Sequence, residues 1–106
     1  MTLEELSTAL ATLKIPYSYG YFEGKQAPEY IVYHESLRNV IHADGVVVYS
    51  EPWITLHLIS KKRHVASELA LAKLLSDNGI AFDNPEYEFD EEQALHIATF
   101  YFQIGG

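Results

Sequence analysis

The sequence contains no cysteine. That excludes disulfides and thiolate metal ligands, and nothing points to an oxidising compartment. Long apolar runs are also missing. None approaches the roughly 20 residues that a membrane-spanning helix requires. The opening MTLEELSTALATLKI lacks the basic start and apolar stretch of a signal peptide. The expectation is synthesis in a cytoplasm and no membrane partner. Positive charge is scarce as well. Seven Lys and Arg face 15 Asp and Glu, for a net charge of −8. From Asp77 onward there are seven acidic residues and no Lys or Arg. Lys61, Lys62 and Arg63 form the only basic cluster. A polyanion gains most of its affinity from cationic side chains on its phosphates, so nucleic-acid binding is disfavoured. Glycine-rich phosphate loops, dinucleotide-binding fingerprints and nucleophile elbows are absent too. The chain is therefore expected not to be an enzyme, and to need no cofactor and no metal.

What is there suits a folded chain. Its 106 residues are 48% apolar and 21% charged, which fits one domain over 1–106 with one hydrophobic core. Thr2 to Leu13 reads as a first helix. Thr2 can cap it, Glu5 stands where a capping box wants an acid, and Leu3, Leu6, Leu10 and Leu13 make one stripe. Pro16 stops it. Tyr17 to Phe22 alternates as a strand, Glu23 to Pro28 reads as a polar loop, and Tyr30 to His34 reads as a second strand. Asn39 to Tyr49 predicts a hairpin turning at Asp44-Gly45. After Glu51-Pro52, Trp53 to Ile59 predicts a central strand with Ile54, Leu56 and Leu58 on one face and Trp53, Thr55, His57 and Ile59 on the other. A second helix is expected from Arg63 to Asn78, with Val65, Leu69, Ala72 and Leu75 as its stripe, widened by Leu71 and Leu74, and Gly79 as its stop. Ile80 to Phe89 and Ala94 to Ile104 complete the chain as strands. The expected order is α-β-β-β-β-β-α-β-β. This is an α+β fold, a mostly antiparallel sheet with two helices packed on it.

Candidate chemistry is sparse. His57 and His96 fall on separate strands and could meet, but no histidine spacing demands a metal. The run Glu86, Glu88, Asp90, Glu91 and Glu92 reads as a solvated face rather than a tuned catalytic pair. The tyrosines stand out: Tyr17, Tyr19, Tyr21, Tyr30 and Tyr33 are five of the chain's eight. Alternation sets Tyr17, Tyr19 and Tyr21 on one face. Buried tyrosine needs a partner for its hydroxyl, whereas protein–protein interfaces are enriched in tyrosine. Core filling and an interface both fit.

The ordered segments IPYSYGYFEGKQAPEYIVYH, HADGVVVYSEPWITLHLISKK, LLSDNGIAF and EYEFDEEQALHIATFYFQI, spanning Leu10 to Ile104, resemble a family of small tail-completion or head–tail joining proteins. That family belongs to long-tailed bacteriophages and prophages of Gram-positive bacteria. Pro28-Glu29 stands for the family's double proline, Asp44-Gly45 for its Asp-Asn turn, and Ser60 to Arg63 for its Thr-Lys-Lys-Asp helix start. The resemblance implies a structural part of the virion, made in the bacterial host cytoplasm. It would form a ring with copies of itself against a connector, tail terminator or tail tube protein. Expected contacts are Tyr17, Tyr19 and Tyr21, the loop with Gly24, Lys25 and Pro28, and the hairpin tip at Asp44 and Gly45. A negatively charged channel would not trap passing DNA. Asp83, Glu86, Glu88, Asp90, Glu91 and Glu92 are the residues expected to line it. The alternative is an acidic regulatory or inhibitory module that binds a host protein.

Overall fold

The structure, a computed structural model, describes residues 2–20, 28–43, 45–62 and 65–104, and of 36–43 and 46–52 only the backbone. Helix α1 (Leu3–Ala11) begins with the expected reciprocal cap. Thr2 Oγ1 accepts the Glu5 N–H at 3.1 Å, and Glu5 Oε1 accepts the Thr2 N–H at 3.2 Å. Two of the donors that every helix start leaves open are thereby satisfied. The helix stops before Lys14, whose φ of 61° no helix accommodates.

Five strands follow: β1 (Tyr17–Tyr19), β2 (Tyr30–Ala43), β3 (Val46–Ser60), β4 (Glu86–Asp90) and β5 (Leu95–Gln103), with helix α2 (Val65–Asp77) between β3 and β4. They form one sheet in the order β1-β2-β3-β5-β4. Only β1 and β2 run parallel; the other pairs are antiparallel. The α+β architecture read from the sequence is the one found. Among the described residues the strand count before α2 is three rather than five. Tyr30–His34 and the first hairpin arm are a single strand, and so are the second arm and Trp53–Ile59. Pro52 does not break β3. It pairs opposite Leu37, one step past the last residue that β5 reaches, Trp53. A proline donates no ladder bond and is tolerated where a strand has a neighbour on one side only. The strand expected from Ile80 begins later, at Glu86, with a single bridge between Phe82 and Phe102 ahead of it.

Strand alternation divides the sheet into two faces. Ile31 and Tyr33 of β2, Ile54, Leu56 and Leu58 of β3, and Ala98, Phe100 and Phe102 of β5 point to one side. There they join Leu6 and Leu10 of α1 and Leu71 and Leu75 of α2 in one core. Phe100 and Phe102 are fully buried, and Phe82 meets Phe100 edge-on at 5.7 Å. Each such side chain contributes roughly 1.5–3 kcal/mol through burial. Both helices therefore cover the same face.

The contact stripe of α2 agrees with expectation at Leu71, Ala72, Leu74 and Leu75, which pack on the core, and differs at Val65 and Leu69. Leu71 and Leu75 are buried together with Glu68, whereas Val65 and Leu69 are exposed, Leu69 by 64%. The helix is rotated away from the stripe anticipated through Val65 and Leu69. Its other ties agree with that rotation. Ser67 Oγ donates to Glu29 Oε1 at 3.1 Å, which fixes α2 to the residue preceding β2. Gly79 closes the helix with φ +74°, a left-handed conformation natural to glycine after a helix end.

Candidate assembly surface

The expected contact residues do not gather into one patch. Tyr17 and Tyr19 stand on β1, at one edge of the sheet. Both lie on the helix-covered side, because Tyr17 is paired with Ile31 and Tyr19 with Tyr33. Tyr17 packs partly into the core, while Tyr19 is 52% exposed and meets the Tyr33 ring edge-on at 5.5 Å. Core filling and exposure are thus both realised, one per tyrosine. Tyr21, Gly24 and Lys25 lie outside the described residues. Pro28 is half-buried just before β2.

Gly45 lies at the opposite pole. Ala43 pairs with Val46 across the two-residue connection, with Gly45 exposed at φ +76°. That conformation suits the tight, twisted turn expected of a two-residue hairpin. Asp44 lies outside the described residues. From Ile31, beside Tyr17, to Ala43 the strand runs about 35–40 Å at the usual rise per residue, most of the molecule's 49 Å long axis.

The stretch between these poles is unusual. Beyond the Trp53–Gln103 pair, β2 and β3 continue together without β5, from Leu37–Pro52 to Ala43–Val46. Two register irregularities interrupt them, between Arg38 and Ile41 and between Ile41 and His42. Among the described residues the result is a two-stranded ribbon about 20 Å long. An isolated two-stranded ribbon is marginally stable in water, and its outer backbone edges are a template for further strand pairing.

The acidic stretch occupies the other sheet edge, β4. Glu86 and Glu88 are exposed and lie on the face away from the helices, since they pair with Thr99 and Ile97. Tyr87 and Phe89 lie on the helix side and are each about half exposed. Asp83, Glu91 and Glu92 are exposed. Asp90 acts locally. Its Oδ1 accepts the N–H groups of Glu92 at 3.0 Å and Gln93 at 3.2 Å, which closes the turn into β5.

The uncovered face carries a mixed polar surface. His57 Nδ1 lies 2.9 Å from Thr99 Oγ1, and the His34 ring is 6.1 Å from that of His57. The Tyr101 hydroxyl donates to Glu86 Oε2 at 3.3 Å. Partial burial holds the His57 imidazole below its ordinary pKa of 6.5; His34 reinforces the effect and Glu88 opposes it. His96 does not join this group. Its ring packs against Phe89 at a tilt, centroids 4.9 Å apart, on the helix side, where with Glu68 and Ser60 it lines a cleft of about 210 Å³. His57 and His96 thus lie on opposite faces of the sheet, which overturns the idea that they meet. The reason is register. His57 pairs with Thr99, three residues from His96, and an odd offset places the two on opposite sides. Among the described residues no group of three or more His, Cys, Asp or Glu is arranged to hold a metal ion, and no helix is long and apolar enough to cross a membrane.

Comparison of the sequence with models of known protein families and with characterised proteins finds no match.

Proposed function

We propose that this chain is a structural virion protein of a phage or prophage, which joins head to tail or completes the tail end by assembling into a ring. The observation that supports this reading most is the β2–β3 ribbon, which continues past the sheet with no third strand among the described residues. A ribbon of that kind gains stability from a neighbour. Its tip and the tyrosine edge at β1 stand about 35–40 Å apart and are chemically different. Two distant, unlike patches make heterologous contacts, and such contacts close into rings when the rotation between copies permits. In this reading the ribbon of one copy reaches the β1 edge of the next, and a connector, terminator or tube protein seats the ring.

Light-scattering mass on a sizing column, with rising concentration and with a co-expressed connector or tube protein, tests the assembly. A ring-sized species is expected. The absence of cysteine makes the contact itself testable. A mixture of Tyr19→Cys and Ala43→Cys chains should cross-link between copies, whereas each variant alone should cross-link poorly. A strict monomer that ignores every virion protein refutes the reading.

The second reading, an acidic module that binds a host protein, is favoured by a separate observation, the exposed acidic strand β4 at a sheet edge. Specific capture of one basic host protein, with no response to virion proteins, would select it.

A further inference from the structure

We propose that the outer edge of β4 is a strand-addition site for a basic, extended segment of another protein, one that alternates Lys or Arg with apolar residues. Three observations converge on it. First, β4 is the last strand of the sheet, and among the described residues no strand pairs with its far side. The backbone of an edge strand offers a ladder for an incoming chain. Second, its side chains alternate sharply. Glu86 and Glu88 project to the uncovered face, whereas Tyr87 and Phe89 project to the helix side and are half exposed. An added strand must present the complementary alternation, cations beside the carboxylates and apolar groups beside the aromatics, since cross-strand neighbours on one face are the unit of sheet stabilisation. Third, the chain bordering the strand on either side is acidic. Asp83, Glu91 and Glu92 are exposed at its two ends, and no Lys or Arg follows Asp77 in the sequence.

The same alternation argues against a second copy as the occupant. Every antiparallel β4–β4 pairing that keeps the faces aligned sets carboxylate against carboxylate. Directly opposed like charges destabilise a strand pair. Strand β1 itself, Tyr17–Tyr19, carries no cation either. The site assigns β4 to a partner contact in place of the channel wall inferred from charge alone, and it does not depend on ring formation.

The test uses the full chain, isotope-labelled for NMR, and three synthetic nine-residue peptides. The first alternates Lys with Val. The second has the same sequence with every other backbone nitrogen methylated, which keeps the charges and removes the ladder. The third replaces Lys with Glu. The first peptide is expected to shift the amides of Glu86 to Asp90 and protect them from exchange. The methylated peptide should bind at least tenfold more weakly, and the acidic one should cause no shift. Charge reversal by Glu86→Lys with Glu88→Lys should weaken the first peptide about tenfold. Glu91→Lys, in the turn, should weaken it less. Four results overturn the proposal: equal binding of the methylated peptide, shifts that map away from β4, no shift at about 1 mM peptide, or protection of β4 by self-association without peptide.

Discussion

Leu69 and Leu71 lie two residues apart on α2, yet Leu71 is fully buried and Leu69 is 64% exposed. The same substitution at both positions therefore isolates the orientation of the helix. Leu71→Ala removes a side chain that packs in the core with Leu75, Phe100 and Phe102. Lost transfer energy and the residual cavity together should cost about 2–5 kcal/mol. Leu69→Ala forfeits little burial, and alanine's helix propensity offsets part of that loss, so the net change should stay within about 0.5 kcal/mol. A small domain holds about 5–15 kcal/mol in total, so the first variant loses a large share of its stability and the second almost none. Urea unfolding followed by circular dichroism, at dilutions where the protein is monomeric, reads both midpoints. In thermal terms the gap amounts to about 4–8 °C per kcal/mol. Equal midpoints for the two variants, or a costlier Leu69→Ala, would refute the helix orientation and restore the stripe through Val65 and Leu69.

Other consequences are measurable in the same way. Thr2→Ala removes the side-chain half of the capping box at α1 and should cost about 1 kcal/mol, read from the urea midpoint. Gly79→Ala keeps open space around the new methyl but forces φ +74° on an L side chain, so about 1–2 kcal/mol should be lost through backbone strain. The His57 imidazole is held below 6.5 in the folded chain, so the unfolded chain binds more protons as acidity rises past that value. Stability should therefore be unaffected by this group above pH 6.5 and should fall as pH drops below it. In His57→Gln, the difference in unfolding free energy between about pH 5 and about pH 7.5 should shrink; an unchanged difference would detach His57 from the effect.

Much of the fold was legible because some signals are local. Thr2 with Glu5 fixed the start of α1, Asp44-Gly45 fixed the hairpin, and the alternation from Trp53 to Ile59 placed Leu56 inside and His57 outside. Other features depend on what lies alongside. Pro52 looked like a break, and only the absence of β5 opposite it explains why β3 runs through. Helix α2 carries leucines at 69, 71, 74 and 75 among alanines, so its periodicity fits more than one face; packing chose the face that also buries Glu68. The separation of His57 from His96 followed from the β3–β5 register, which no stretch of sequence states by itself. For the candidate surface, the sequence named the tyrosines and the acids. The sheet order then placed them on opposite edges, with the ribbon extending along the long axis.

The sheet order also sets when the molecule can fold as it is made. β5 lies between β3 and β4, and it supplies Phe100 and Phe102 to the centre of the core. A nascent chain that has emerged only as far as Asp77 already carries both helices and the long β2–β3 hairpin. Its central strand still has one side bare, and Leu6, Leu10, Leu71 and Leu75 lack Phe100 and Phe102 to close upon. Such an intermediate exposes both a strand edge and apolar surface, the combination that invites aggregation. Productive folding therefore waits for Gln103 to leave the ribosome, and chain lengths between Asp77 and Gln103 mark the interval in which a growing copy most needs a chaperone.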